Sequence, residues 1–203
     1  MSSKINVVRS NRWIFGSLAF FSLCALIASF TLSYEKLELL QHPDAKLSCS
    51  INVVLNCASV MKTPQASVFF GIPNSFFGMM GFSVALALAI ALLAGVTFPR
   101  WMLICMQIAF AAGWAFALWL FFSSVYVIQI LCPWCLVVTT STTILFASML
   151  RYNLRENVFG LSKKAHTVTA KLLHSDYDKM FFAGLLVLFV VLVVLKFGSG
   201  LIG

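Results

Sequence analysis

Residues 101–150 run for 50 positions without a Lys, Arg, Asp or Glu. A single helix of that length would reach about 75 Å at 1.5 Å per residue, against a bilayer hydrocarbon core of ~30 Å. The stretch therefore holds two membrane crossings, and a break has to fall inside it. Ser123, Ser124 and Gln129, shortly before Pro133, mark that break. One crossing is then expected at about 101–122 and the next at about 133–150. Pro133 suits the first turn of the later helix, where its missing N–H has no intrahelical partner to lose.

Three more apolar runs fit the same scheme. Residues 13–34 are uncharged, longer than the apolar core of a secretory signal, and read as a retained first crossing. Residues 74–95 make the second, closed by Phe98-Pro99-Arg100. Residues 180–195, bracketed by Lys179 and Lys196, make a short fifth whose flanking lysines snorkel to the interface. The chain is 61% hydrophobic and 10% charged, far from a soluble domain. Backbone polar groups in lipid must pair internally, and runs of about twenty residues do so as helices, because barrel strands would alternate over about ten. The expected fold is an all-α integral membrane protein. It comprises a four-helix transmembrane bundle within residues 1–155, then a cytoplasmic linker and a fifth transmembrane helix within 156–203.

The net charge of +8 would suggest nucleic acid in a soluble chain, but here it reports topology beside membrane lipid. With the N-terminus inside, ten of the fourteen basic residues fall on the cytoplasmic side: Lys4, Arg9, Arg12, Arg100, Arg151, Arg155, Lys163, Lys164, Lys171 and Lys179. Lys36, Lys46, Lys62 and Lys196 fall outside. A bias of this size over short loops sets orientation. It puts the long polar loop 35–74 on the same outer face as Cys132-Pro133-Trp134-Cys135. Within that loop the apolar segment 68–73 reads as a short interfacial piece, turned by Gly71 and Pro73.

Six cysteines are present. Cys24 and Cys105 lie mid-span and are expected to be buried small apolar side chains. Cys49, Cys57, Cys132 and Cys135 all map to the outer face, where disulfides persist. Four cysteines allow three pairings; the short spacing of Cys132 and Cys135 joins those two and leaves Cys49 with Cys57. A Cys-x-x-Cys at a helix N-terminus favours a thiolate, through first-turn N–H groups and the helix dipole. Cys132 stands at the surface end and Cys135 one turn deeper. Two pairs on one face suggest a thiol–disulfide relay, with a mobile loop pair carrying electrons from an external protein. No haem or flavin motif is evident, so a quinone dissolved in the membrane is the acceptor that fits. A zinc site from the four cysteines and a set of purely structural disulfides in a non-catalytic scaffold are the competing readings.

Taken in order, Cys49-x7-Cys57, Val60, Thr63, Phe70-Gly71, Pro73-Asn74-Ser75-x-Phe77-Gly78 and Cys132-Pro133-Trp134-Cys135 resemble the vitamin K epoxide reductase family in its bacterial, DsbB-like form. The resemblance covers roughly residues 13–150. It implies that Cys49 exchanges with a redox partner, that Cys57 attacks Cys132, and that Cys135 lies beside the quinone ring, where it can form a charge-transfer complex or adduct. It implies that Asn74 hydrogen-bonds a quinone oxygen, the alternative being a helix cap. Phe70 and Trp134 are expected as pocket walls. Thr63 stands where the family usually has serine, and Thr139 stands where the animal enzymes have tyrosine.

The implied activity is that of a disulfide-generating, quinone-dependent oxidoreductase in a bacterial inner membrane. It would reoxidise a separate periplasmic or lumenal thioredoxin-fold (DsbA-like) protein, with menaquinone, ubiquinone or phylloquinone as acceptor and no metal. Reduction of vitamin K epoxide or quinone is the alternative on the same scaffold. The chain shows no Cys-x-x-Cys after position 135, so the partner is expected to be a separate polypeptide.

Overall fold

A computed structural model describes residues 2–42, 47, 49, 50 and 54–202, with side chains over 11–198 of these. Lys46, read above as a basic residue of the outer face, lies outside the described residues, as do the side chains of Lys4 and Arg9. The elements are α1 (Ser2–Gln41), α2 (Cys57–Met61), a 3-10 turn (Pro64–Ser67), α3 (Asn74–Leu93), α4 (Arg100–Phe122), α5 (Pro133–Arg155), α6 (Lys163–His174) and α7 (Tyr177–Ile202). Among the described residues, five helices are long and apolar enough to cross a membrane: Asn11–Gln41, Asn74–Leu93, Arg100–Ile128, Pro133–Arg155 and Tyr177–Gly198. The all-helical membrane architecture is as expected, and no strand is present among the described residues.

Three boundaries differ from the sequence reading. Helix α1 does not stop at Tyr34 but continues to Gln41, carrying Glu35, Lys36 and Glu38 on a helix instead of a loop. Its apolar spacing explains this: Leu32 and Leu39 are seven residues apart, on one face, and both are buried. The 31-residue span reaches about 46 Å, so its last turns rise beyond a ~30 Å core. Helix α7 offers 22 residues, about 33 Å, enough to cross without help from snorkelling lysines. The linker before it contains the amphipathic helix α6, capped by Ser162, whose Oγ accepts the Ala165 N–H at 3.4 Å.

Helix α1 packs along both α3 and α5, and α4 packs along α5. Small residues make the first contact close: Ser22, Ala25, Ala28 and Ser29 are fully or almost fully buried on α1. Such positions let helix backbones approach in a medium without a hydrophobic driving force. Gly78 of α3 is part of this fit, since a Cβ there would stand 2.7 Å from Ser29 Oγ. Ser33 Oγ donates to Ser75 Oγ at 2.9 Å, and Ser17 and Ser148 hydroxyls meet at 3.2 Å between α1 and α5. A buried amide pair, Asn153 Nδ2 to Gln107 Oε1 at 3.0 Å, joins α5 to α4.

At one end of the bundle the charges gather. Arg151 Nη1 donates to Asp178 Oδ1 at 2.6 Å, and Nη2 donates to Asp176 Oδ1 at 2.7 Å and to the Leu173 carbonyl at 3.0 Å. This fork pins the α6–α7 corner to α5. Arg155 and Glu156 share Asn11, and Arg100 Nε donates to the Val158 carbonyl. Cys49, Cys57, Cys132 and Cys135 lie toward the opposite end. Cys24 is half-buried and Cys105 is exposed, so the expectation that both are buried fails: Cys105 lies on an outward face of α4.

Candidate redox site

The site begins where α4 ends. Its last turn widens into a π-helical segment, Ser123–Ile128, and Gln129 closes it in the left-handed region at φ +56°. The break falls where Ser123, Ser124 and Gln129 mark it in the sequence. The chain then runs extended, and Leu131 pairs with the segment ahead of α2. Its N–H donates to the Val54 carbonyl at 2.8 Å, and its carbonyl accepts the Asn56 N–H at 3.0 Å. Asn56 in turn caps α2, with Oδ1 accepting the Ser59 N–H at 3.0 Å. Leu131 itself is completely buried.

This clip sets Cys57, the first residue of α2, against Cys132, the cap of α5. Their sulfurs are 3.1 Å apart. Cys49 and Cys57 form a disulfide, the pairing expected from the sequence. Cys49, Cys57 and Cys132 are all nearly inaccessible, packed with Leu32, Leu39, Leu47, Val60 and Met61. The loop disulfide sits against Cys132, packed there by the Leu131 clip and these apolar residues. One expectation changes. Cys132 and Cys135 stand as two thiols, not a second disulfide: Cys132 Sγ accepts the Cys135 N–H at 3.4 Å and so serves as the helix cap.

The Cys132 thiol pKa is lowered. The hydrogen bond from the Cys135 thiol contributes most, burial opposes it, and the Cys135 and Trp134 N–H groups add to the lowering against the charge of Glu35. Glu35 was not among the residues the sequence singled out. It is almost fully buried, with Oε2 2.9 Å from Cys49 Sγ. Lys36, its neighbour, donates from Nζ to the Met61 carbonyl at 2.6 Å. The signal for both was present in the helical spacing of Leu32 and Leu39 beyond the apolar run. Glu35, Cys49 and Cys57 place three donor atoms within 4.8 Å, but two of them are disulfide sulfurs and offer no thiolate to a metal.

Below the sulfurs lies an apolar cavity of about 450 Å³ between α1, α3, α4 and α5. Cys132, Cys135, Thr139, Asn74, Thr63 and Lys36 supply polar atoms along its wall, and Phe69, Phe77, Phe82, Phe110 and Phe116 supply rings. The size and the mainly apolar lining with few polar groups suit a small organic ligand. Thr139 Oγ1 donates to the Cys135 carbonyl at 2.9 Å, and Thr63 Oγ1 to the Val60 carbonyl at 2.7 Å. Asn74 does not cap its own helix, the cap being Pro73. Its Nδ2 donates to the Gln65 carbonyl at 2.7 Å and its Oδ1 accepts the Val68 N–H at 3.1 Å. It therefore clamps the 3-10 segment over the cavity and keeps one N–H to offer.

Two expected wall residues lie elsewhere. Phe70 and Gly71 form a tight turn with φ of +53° and +74°, closed by the Ile72 N–H on the Phe69 carbonyl at 2.9 Å. The turn throws Phe70 outward, 96% exposed. Phe69 takes the wall position, its ring 5.4 Å from that of Phe77 and 5.5 Å from that of Phe116. Trp134, in the first turn of α5, packs against the cysteine cluster and not along the cavity.

Residues 17–150 match the family model described as the vitamin K epoxide reductase family. No individual curated protein matches the chain. The match spans both cysteine pairs, the clamp residue Asn74 and all four helices around the cavity. On that match and this architecture, the chain belongs to the vitamin K epoxide reductase family, whose members are membrane oxidoreductases.

Proposed function

We propose that the protein oxidises a dithiol partner and passes the electron pair to a membrane quinone through Cys49, Cys57, Cys132 and Cys135. One observation carries this reading: Cys57 Sγ lies 3.1 Å from Cys132 Sγ, while Cys132 and Cys135 both line the apolar cavity. The protein-side pair and the cavity-side pair thus meet at a single sulfur–sulfur contact. A partner thiolate opens Cys49–Cys57 at Cys49 and frees Cys57 as a thiolate. Cys57 attacks Cys132 in an oxidised Cys132–Cys135 pair and releases the Cys135 thiolate beside the quinone. Closure of the two pairs transfers two electrons, and the quinone leaves as quinol with two protons. Asn74, Thr63 and Thr139 would orient the quinone. The partner we propose is a separate thioredoxin-fold protein on the outer face of a bacterial inner membrane, with the N-terminus cytoplasmic.

Purified protein mixed with a reduced thioredoxin-fold protein and a short-chain quinone tests the reading. Quinol should form one-to-one with partner disulfide. Cys135→Ala should abolish turnover and accumulate a Cys57–Cys132 bridge found by peptide mapping. Turnover unchanged in Cys135→Ala would sink the relay, and vitamin K epoxide reduction at the quinone rate would favour the epoxide reading.

A further inference from the structure

Thiol exchange at the protein end of the relay needs a group to take and return a proton, and there the structure buries a carboxyl group. Glu35 is 3% exposed, on the part of α1 that rises above the apolar span. Its Oε2 stands 2.9 Å from Cys49 Sγ, and its carboxyl oxygen lies within 4.8 Å of both disulfide sulfurs. A disulfide sulfur carries no hydrogen, so while Cys49 and Cys57 are joined this contact is a hydrogen bond only if the carboxyl donates. Once the disulfide opens, the roles reverse: the Cys49 thiol donates to a carboxylate. The same pair of atoms can serve both states.

We propose that Glu35 is the general acid and base for the Cys49 sulfur. This inference rests on the relay reading above. When Cys49 closes the loop disulfide, its S–H proton passes to the Glu35 carboxylate as its sulfur attacks Cys57 in the Cys57–Cys132 bridge. The Cys57–Cys132 bond breaks, the Cys49–Cys57 bond forms, and Cys132 leaves as a thiolate. One proton moves from sulfur to oxygen, one negative charge moves from Glu35 to Cys132, and no electrons are gained or lost overall. The reverse step uses the same acid to protonate Cys49 as it departs. Thiol–disulfide exchange needs a thiolate to attack and a stabilised thiolate to leave, and a group in hydrogen-bond reach of the reacting atom is the geometric requirement for proton transfer.

The rest of the cluster fits this coupling. Cys132, the departing sulfur, is held by the Cys135 N–H at 3.4 Å, and the charge on Glu35 works against a thiolate there. Moving the proton onto Glu35 in the same step removes that opposition as the Cys132 thiolate forms. Among the described residues, ionisable groups that meet this cluster include Cys135 of α5 and Lys36 of α1, the latter held by the Met61 carbonyl. Burial excludes bulk water, so no solvent base substitutes readily for the carboxylate.

The test follows sulfur exchange without quinone or partner, so its outcome is separate from whether the protein reduces quinone. In a full-length Cys135→Ser background carrying one disulfide, a pH jump shifts the balance between Cys49–Cys57 and Cys57–Cys132. Acid quenching, alkylation in denaturant and mass spectrometry give the relaxation rate. With Glu35 present the rate should pass through a maximum as pH rises, because one thiol must be ionised while the carboxyl shuttles a proton. Glu35→Gln should slow exchange about a hundredfold near neutral pH and convert the maximum to a steady alkaline rise. Glu35→Asp should recover part of the rate and the maximum. An unchanged rate in Glu35→Gln overturns the proposal, and so does a slowing by one factor at every pH with the profile intact, the mark of a structural role. If Glu35→Gln forms neither bridge, Glu35→Asp decides: a displaced maximum supports the proposal, and a profile identical to that of the Glu35 chain overturns it.

Discussion

Leu131 is held on both sides by the residues flanking Leu55: its N–H donates to Val54 at 2.8 Å and its carbonyl accepts from Asn56 at 3.0 Å. Two backbone hydrogen bonds thus fix the distance between cysteines 75 residues apart in sequence. Asn56→Ala removes the α2 cap and should lower stability by about 1 kcal/mol. It should also slow formation of the Cys57–Cys132 bridge several-fold, as followed by alkylation and peptide mapping. Asn56→Asp, which keeps the accepting oxygen, should retain most of both.

Gly78 and Ser29 make a double-mutant test of the α1–α3 contact. Gly78→Ala sets a methyl 2.7 Å from Ser29 Oγ and should cost about 1–3 kcal/mol through overpacking. Adding Ser29→Ala removes the clashing oxygen and leaves a Cβ at 3.4 Å, so most of the loss should be recovered. Thermal unfolding of the four variants in detergent gives the coupling term; strict additivity would show that the two residues do not meet.

The Cys132 thiol should ionise below the ordinary thiol range. Because the Cys135 hydrogen bond is the main cause, Cys135→Ala should move its titration upward, read from the ultraviolet thiolate band in a chain that keeps only Cys132 and Cys135. The sign for stability follows from linkage. A depressed folded-state pKa adds stability that is complete above the ordinary thiol value and is lost as pH falls through the lowered one. The reduced protein should therefore lose this increment on acidification, and Cys135→Ala should lose less.

Asn74→Ala frees the Gln65 carbonyl and the Val68 N–H from their clamp. A roughly tenfold rise in KM for quinone is expected, about 1.4 kcal/mol, with a smaller change in kcat. A fall in kcat alone would place Asn74 in the chemistry and not in binding.

Arg151→Ala leaves Asp176 and Asp178 without their shared cation at the α6–α7 corner. Protease cleavage between residues 156 and 176 should rise in membranes, while exchange between Cys57 and Cys132 at the far end of the bundle should be untouched. A change in that exchange would reveal coupling along α5.

Much of this was legible because charge is so unevenly spread. The uncharged run of 101–150 requires a break, and Ser123, Ser124 and Gln129 locate it at the π-helical turn. The cysteine spacings identify the Cys49–Cys57 disulfide and place Cys132 at the start of α5, but they predict a second bridge where two thiols stand. Other features follow from tertiary geometry that hydropathy does not encode. Glu35, Lys36 and Glu38 look like the start of a loop, yet α1 continues because Leu32 and Leu39 still have a surface to cover. Phe70 resembles a wall residue, but its positive φ turns it outward and hands the position to Phe69. Helix α6 hides among lysines because its apolar face is narrow and partly exposed.

The burial of Cys49, Cys57 and Cys132 amounts to electrical insulation. Small thiols of the surrounding solution meet the loop disulfide only when the packing over it parts, so they cannot readily short-circuit the path to the cavity. On the proposed relay, a partner would have to displace that packing to reach Cys49, so access to the sulfurs as well as their reactivity would select the reductants.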